Sequence, residues 1–191
     1  CIAVYIEALD SPEAFKKACL ECEKPITAIK VGSSEIGVKA AFAHTASENQ
    51  GHSNAEYDKL FEESGVLREK TWQEFLDTSL ALGNCPPLRG DNVVIITNGG
   101  GAGLLAADHF ERLGMPLKEL KDISPDLREN IRNYMPAFGS PLNPVDISGT
   151  ATSDMYGGAL KTAYRDEHVD GILISVCPTA VTDVEAITET V

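Results

Sequence analysis

The sequence contains no run of roughly 20 consecutive apolar residues, which is the length that a membrane-spanning helix requires. Its first residues, CIAVYIEALD, lack the charged, apolar and small-residue zones of a signal peptide. Positive charge is scarce as well, since 16 Lys and Arg residues are outnumbered by 29 Asp and Glu residues, for a formal net charge of −13. An acidic surface repels a phosphate backbone. We therefore expect neither a membrane nor a nucleic acid as partner, and we expect a cytoplasmic protein.

The sequence also lacks the cysteine pattern of a disulfide-bonded protein. The five cysteines form an odd and scattered set, which is typical of reduced thiols and not of a disulfide framework. Cys19 and Cys22 form a C-x-x-C pattern, but a zinc site would need a second pair of ligands, and none follows. We expect these two cysteines to lie on an ordinary helix.

Strand and helix patterns alternate along the chain, which predicts the α/β class with parallel sheets covered by helices. Apolar runs predict strands, and the first of them, IAVYI, is expected to be fully buried. The stretch NCPPLRGDN, residues 84–92, has two prolines and a glycine and predicts a linker. It would separate a domain over residues 1–85 from a second domain over 90–191. The first strand has no preceding element and the last helix is incomplete, so we expect the first domain to be truncated at its N-terminus and the second at its C-terminus.

A glycine-rich turn follows the apolar strand of the second half, in VVIITNGGGAGLLAADHF. Asn98, Gly99, Gly100 and Gly101 lead directly into a predicted helix, whose first amides and dipole favour an anion. The spacing is not that of a dinucleotide-binding motif, and no Lys-Ser or Lys-Thr pair follows as in a Walker loop. The turn is interpreted as a phosphate-binding site, and the alternative is a tight turn whose glycines serve only packing.

Two residues of the first half are candidates for catalysis. His44 lies in KAAFAHTASENQGHS, residues 39–53, which we expect to be a loop. It could be a solvated histidine, a metal ligand with His52, or a nucleophile that accepts a phosphoryl group. No cysteine or aspartate cluster accompanies the two histidines, so we expect no metal site. Glu7 directly follows the first strand, where it is either solvated or placed to orient and charge the imidazole.

Taken together, these segments resemble the nucleoside-diphosphate-forming acyl-CoA synthetases, relatives of succinyl-CoA synthetase. The resemblance rests on KPITAIKVGSSEIGVKAAFAHTAS and GVLREKTWQEFLDTSLAL in the first half, and on VVIITNGGGAGLLAADHFERLG and NPVDISGTAT in the second. It implies two flavodoxin-like, succinyl-CoA synthetase-like domains with parallel sheets, the first being the phosphohistidine domain. It also implies that His44 is phosphorylated during turnover, that Glu7 contacts it, and that the turn from Asn98 to Gly101 directs a helix dipole at the phosphohistidine.

The resemblance further implies the reaction and its partners. Acyl-CoA, ADP and phosphate would be interconverted with carboxylic acid, CoA and ATP through an acyl phosphate and the phosphohistidine. CoA would be a substrate bound by a Rossmann domain, and ATP, ADP and Mg²⁺ would bind an ATP-grasp domain or subunit, all outside these 191 residues. We expect an oligomer, and a fragment that is inactive alone. Two alternatives stay open: a regulatory acyl-CoA-binding relative fused to an acetyltransferase, and a simple anion-binding module.

Overall fold

The computed structural model describes residues 1–44 and 53–191, with the backbone alone for residues 41–44. The chain divides into two compact units, Cys1–Pro87 and Leu88–Val191, each with its own sheet. We call them unit 1 and unit 2. None of the helices in the described part of the chain has the length and apolar character needed to cross a membrane.

Unit 1 contains a three-stranded parallel sheet in the order β1-β2-β3. Residue Ile6 pairs with Lys30 across the first two strands, and Ile29 pairs with Glu69 across the next two. The carboxyl ends of all three strands therefore meet at one edge of the sheet. The elements are β1 (Ile2–Ile6), α1 (Pro12–Leu20), β2 (Ile26–Lys30), α2 (Glu35–His44), α3 (Asn54–Glu63), β3 (Val66–Glu69) and α4 (Trp72–Asn84).

The first strand is not fully buried, contrary to the expectation from its apolar sequence. Ile6 is 4% exposed, whereas Ile2 and Tyr5 are 40% and 50% exposed. These residues are exposed because β1 is an edge strand of this sheet, whereas β2 is the central strand. All of the apolar residues of β2 are buried, and Tyr57 and Phe61 of α3 cover one side of the sheet.

Local signals place the helix boundaries of unit 1. Ser11 caps α1, while Ser53 and Thr71 begin α3 and α4 with reciprocal capping boxes, which satisfy backbone amides that a helix start leaves free. Gly65 has a φ of +67°, a conformation that glycine adopts at little cost, and it turns the chain from α3 into β3.

The first part of the expected loop is instead the end of helix α2, so this prediction is wrong for residues 39–44. The Ser34 hydroxyl accepts the amide N–H of Gly37 at 3.0 Å, and Lys39 pairs with Glu35 at 2.9 Å, one turn away. Both interactions support a helix start. The rest of the expected loop, residues 45–52, lies outside the described residues.

Unit 2 contains a four-stranded sheet in the order β5-β6-β4-β7, parallel except for the antiparallel pair β5–β6. All five residues of β4 are buried, and they form the centre of the core with α8. The elements are β4 (Val93–Thr97), α5 (Gly100–Arg112), α6 (Leu120–Ile123), α7 (Leu127–Arg132), β5 (Ser140–Pro141), β6 (Val145–Asp146), α8 (Ser153–Arg165), β7 (Gly171–Ser175) and α9 (Val184–Thr190).

The side chain of Asn143 completes the hydrogen bonding of β4 where the short strand β6 does not reach. Its Oδ1 accepts the Ile95 amide N–H at 3.0 Å, and its Nδ2 donates to the Val93 carbonyl at 2.8 Å. The amide group thereby substitutes for a strand neighbour and leaves the centre of the sheet without unpaired backbone groups at these positions.

Tyr156 of α8 is a fully buried phenol in the core of unit 2. Its hydroxyl donates to the Ser175 carbonyl at 3.0 Å, at the end of β7. Burial raises the pKa of Tyr156 to about 12, because a phenolate would be poorly solvated there. The folded state thus holds the phenolic proton more tightly than the unfolded chain does.

We therefore expect the free energy of unfolding to decrease at alkaline pH through Tyr156. The contribution is fully present below about pH 10 and is lost as the pH rises through about 12, for a total of about 2 to 3 kcal/mol at about 1.4 kcal/mol per pKa unit. Urea unfolding of the parent and Tyr156→Phe at several pH values measures this. The difference between the two free energies should shrink by about that amount, and parallel curves would contradict the assignment.

Candidate functional site

The glycine-rich turn lies at the carboxyl end of β4, where open α/β sheets bind ligands. The strand ends at Thr97, Gly99 precedes the helix in an extended conformation, and α5 begins at Gly100 without a side-chain cap. The carbonyl of Gly99 accepts the amide N–H groups of Ala102 and Gly103 at 3.0 and 3.2 Å. For the amides of Gly100 and Gly101 no acceptor is found among the described residues. The helix start therefore presents free donors.

Packing explains some of these glycines and not others. A Cβ on Gly99 would lie 2.3 Å from the sulfur of Cys177, and one on Gly100 would lie 2.7 Å from Oδ2 of Asp146. On Gly101 a Cβ would meet no atom within 4 Å. The alternative that the glycines serve packing therefore accounts for the first two, whereas no steric contact requires glycine at the third.

Asn98 is placed in the turn, but its side chain is already engaged. It is 3% exposed. Its Oδ1 accepts the Cys177 amide N–H at 2.7 Å, and its Nδ2 donates to the Cys177 carbonyl at 2.9 Å and to the Thr182 hydroxyl at 3.3 Å. The side chain fastens the turn to the segment after β7, so Asn98 positions the glycines with its side chain.

Loss of the Asn98 side chain should be costly, because it leaves the part-buried amide N–H of Cys177 without its acceptor. We expect Asn98→Ala to lower the free energy of unfolding by about 1 to 3 kcal/mol. The matched control is Asn133→Ala, at an exposed position on the end of α7, where a change within about 0.5 kcal/mol is expected. Urea unfolding followed by circular dichroism compares the two, and equal effects would show that the Asn98 contacts contribute little.

Asp146 was not among the residues singled out in the sequence. It ends β6, its Oδ1 accepts the amide N–H of Ser148 at 2.8 Å, and its Oδ2 lies beside Gly100. Ser148 has a positive φ of 78°, which is uncommon for a residue with a side chain. A carboxylate at a helix N-terminus is favoured by the dipole. The sequence shows Asp146 in NPVDISG, as an acidic residue directly after an apolar pair. It does not show that this carboxylate lies beside Gly100, 46 positions earlier.

In unit 1, the carboxyl edge of the sheet holds Glu7 and Lys30. Glu7 is half-buried at the bend after β1, and its Oε1 accepts the Tyr5 hydroxyl at 3.3 Å. Lys30 ends β2, and burial lowers the pKa of its ammonium, with the Arg68 charge adding to this effect and the Glu7 carboxylate opposing it. Sequence reasoning missed Lys30, although a lysine within ITAIKV interrupts an otherwise apolar strand.

His44 is the last residue of α2, and the structure describes its backbone only. The described side chains of this helix, residues 35–40, are all exposed or half-buried, and Ile36 is 80% exposed. The structure therefore places Glu7 and Lys30 at the same edge of the sheet, while the contact between Glu7 and His44 stays a prediction. His52 lies outside the described residues. Within the part of the chain that is described, no three His, Cys, Asp or Glu side chains are grouped to hold a metal ion.

Two parallel-sheet units, the second with a glycine-rich helix start at its carboxyl edge, define an α/β protein of the flavodoxin-like kind. Residues 93–191 match the family model of the Ligase-CoA domain, and residues 1–82 match that of the succinyl-CoA ligase like flavodoxin domain. The chain belongs to the Ligase-CoA family. The segment between the two matches contains the boundary at Pro87, where the chain divides into its units.

The relatives that the chain resembles are CoA ligases. The chain is 41% identical to the alpha subunit of acetate–CoA ligase [ADP-forming] I from Pyrococcus furiosus, over the whole chain and 40% of that subunit. It is 32% identical to 4-hydroxybutyrate–CoA ligase [ADP-forming] from Nitrosopumilus maritimus, over 92% of the chain and 25% of that protein. The chain thus spans two fifths or less of the length of these relatives.

A solved structure agrees with this assignment. The acetyl-coenzyme A synthetase 1 of Ca. Korarchaeum cryptofilum, in complex with phosphate and ADP, superposes with a TM-score of 0.82 and 32% sequence identity. The superposition covers 97% of the present chain and 41% of that chain. The predicted family and fold class are confirmed.

Proposed function

We propose that this chain is part of an ADP-forming acyl-CoA synthetase that conserves the energy of a thioester as ATP. The observation that carries the proposal is the likeness, over nearly the whole chain, to a synthetase whose structure contains phosphate and ADP. The curated relatives are ADP-forming ligases of acetate and of 4-hydroxybutyrate. The substrate class is accordingly a short carboxylic acid and its CoA thioester.

The proposed reaction has three reversible steps. A phosphate oxygen attacks the thioester carbonyl, the C–S bond breaks, and CoA leaves as its thiol with an acyl phosphate formed. An imidazole nitrogen of His44 then attacks the phosphorus, the bond between phosphorus and the acyl oxygen breaks, and the carboxylate leaves. Finally the β-phosphate of ADP attacks the phosphohistidine, the P–N bond breaks, and ATP forms. Phosphoryl transfer of this kind depends mainly on positioning and electrostatic stabilisation.

The chain contributes the nucleophile and the groups that stabilise its charge. Glu7, at the edge of the unit 1 sheet, would accept a hydrogen bond from the imidazole, fix its tautomer and raise its basicity. The free amides of Gly100 and Gly101 in unit 2 would bind phosphate oxygens, aided by the helix dipole. Asn98 would hold this turn through its contacts with Cys177. These local donors are needed because the net charge of −13 opposes anion binding.

The exposure of α2 supports a role in carrying the phosphoryl group. No described side chain of this helix is buried, and Ile36 and Val38 are 80% and 37% exposed. The side chain of Asn54 donates to the Ser33 carbonyl at 3.1 Å, which ties the start of the segment to α3. A helix with so little burial is held to its unit by few interactions. We propose that the segment bearing His44 delivers its phosphoryl group to a nucleotide site elsewhere.

The partners of this chain would be a CoA-binding Rossmann domain and an ATP-grasp domain or subunit, in a cytoplasmic oligomer. Since the described residues offer no cluster suited to a metal ion, Mg²⁺ would be held with the nucleotide by the ATP-grasp part. When bound there it would neutralise phosphate charge during the last transfer.

An assay of ATP formation tests the proposal directly. The complete protein, with any partner subunit, is incubated with ADP, Mg²⁺, phosphate and a series of short acyl-CoA thioesters, and both ATP and free CoA thiol are measured. We expect the two products in a 1:1 ratio, and none of either when phosphate is omitted. Release of CoA without ATP would identify a thioesterase and overturn the proposal. Absence of both products with every thioester would favour a regulatory relative.

A further inference from the structure

A cleft of about 320 Å³ opens at the carboxyl edge of the unit 1 sheet, and it collects positive charge in an acidic protein. Its lining includes the cations Lys30, Arg68 and Lys70, the carboxylates Asp58 and Glu69, and the uncharged polar residues Ser33 and Asn54. Glu7 follows β1 at this edge, beside the end of β2. Cations outnumber carboxylates in this lining by three to two, so the cleft favours an oxyanion only at a cation that has no carboxylate partner.

One of these cations is committed to internal contacts. The guanidinium of Arg68 donates to Asp58 at 2.8 Å, and to the carbonyl and side-chain oxygens of Asn54 at 3.0 Å each. It is only 14% exposed. These bonds fix the start of α3 to β3, so the charge of Arg68 is largely used within the unit.

Lys30 differs from Arg68 because its charge has no carboxylate partner. Its side chain is half-buried, and its ammonium lies 4.8 Å from the centre of the Tyr57 ring and donates to the Val31 carbonyl. Among the described residues, no carboxylate oxygen lies within 4 Å of it. An ammonium group has three N–H donors. The structure shows one protein acceptor for them, and donors remain for a ligand.

The environment makes a second anion favourable at this position. Burial lowers the pKa of Lys30, the nearby Arg68 charge lowers it further, and the Glu7 carboxylate opposes both effects. Glu7 directly follows Ile6, which lies opposite Lys30 in the strand register. An incoming oxyanion would restore charge balance in the cleft and stabilise the charged form of Lys30.

From these contacts we infer that Lys30 binds the phosphoryl group in unit 1, donating hydrogen bonds to its oxygens while Glu7 orients His44. This inference rests on the proposed function. A phosphoryl group of about −2 charge beside Glu7 would be repelled by the carboxylate. Lys30 lies on the neighbouring strand, opposite Ile6 in the register. Its positive charge would offset that repulsion. Lys30 would thereby be a phosphoryl-binding residue of the transfer reaction.

Steady-state kinetics of the complete protein test this role with Lys30→Met, Lys30→Arg and the control Lys17→Met. Methionine is also unbranched and only one atom shorter than lysine, and it lacks the charge and the N–H donors. Lys17 is an exposed residue of α1, with its side chain 76% exposed. We expect Lys30→Met to raise the KM for phosphate at least about tenfold, a loss typical of a hydrogen bond to a charged group. The KM for acyl-CoA should stay within about twofold. Lys30→Arg should restore part of the effect, and Lys17→Met should match the parent.

Two further measurements separate this inference from the proposed function. Labelling with γ-labelled ATP reports whether the parent forms a phosphohistidine at all, and ³¹P line broadening reports binding of inorganic phosphate whether or not turnover occurs. An unlabelled parent would contradict the proposed function. A Lys30→Met variant with the parent's phosphate binding and KM would overturn the role of Lys30. Equal rises in both KM values, with a lower melting temperature, would show a structural role and would overturn it as well.

Discussion

The variant His44→Ala is expected to form ATP from acyl-CoA, ADP and phosphate at least about 10³-fold more slowly than the parent protein, as is usual when a covalent nucleophile is removed. The physical reason is that the imidazole carries the phosphoryl group from the acyl phosphate to ADP. Without it, the proposed mechanism has no group in this chain that accepts the phosphoryl group from the acyl phosphate. Initial rates at saturating substrate concentrations measure the effect.

The matched control for this assay is a histidine outside the proposed site. His109 is exposed on α5 and contacts Arg112. His109→Ala should keep the rate within about twofold, as expected for a surface substitution. If His44→Ala retained more than a few per cent of the parental rate, a covalent role for His44 would be refuted. A loss common to both variants would indicate damage to the assembly instead.

The second large effect is expected for Gly99→Ala at the glycine-rich turn. Gly99 has φ −130° and ψ 99°, which alanine adopts without strain, so the cost is steric. The added Cβ would lie 2.3 Å from the sulfur and 3.0 Å from the Cβ of Cys177. We expect a loss of about 1 to 3 kcal/mol in the free energy of unfolding, the usual cost of overpacking. Phosphate binding should weaken too, because the turn must move.

Gly101→Ala is the matched control, since it lies two residues further on in the same turn. A Cβ there meets no atom within 4 Å. Alanine should therefore raise the free energy of unfolding by about 0.5 to 1 kcal/mol, because it loses less backbone entropy than glycine in a helix. In the background of Gly99→Ala, the change Cys177→Ala should recover part of the loss. Urea unfolding that moved both glycine variants in the same direction would refute the packing argument.

Much of the fold could be predicted because its signals are local. Ser11, Ser53 and Thr71 cap helices within three residues of themselves. Gly65 follows α3 with a positive φ, which glycine adopts at little cost. The run VVIIT is buried on both faces as β4. Each of these depends on interactions between near neighbours in sequence, which a pattern can show.

The errors concern features set by the surroundings. The sequence of β1 is as apolar as that of a central strand, but its exposure depends on its place at the sheet edge. The described residues of α2 are exposed or half-buried all round, so the helix needs no periodic apolar face and its sequence shows none. A helix of this kind differs little in pattern from a loop, and only its propensity and the Ser34 cap favour it.

The candidate site could be predicted in part, since the glycine-rich turn follows its strand as expected. The engagement of Asn98 with Cys177 joins residues 79 positions apart, so no local pattern shows it. The same holds for Asp146 beside Gly100 and for Lys30 above Tyr57. Residue types were visible in the sequence, whereas the contacts that decide their roles come from tertiary packing.

The central claim is that His44 carries the phosphoryl group, and covalent labelling tests it most directly. The complete protein is incubated with Mg²⁺ and γ-labelled ATP, and the label is examined for acid lability and base stability, with His44→Ala alongside. We expect acid-labile, base-stable label on the parent and none on the variant. Equal labelling of both proteins, or no label on a parent that binds the nucleotide, would contradict it.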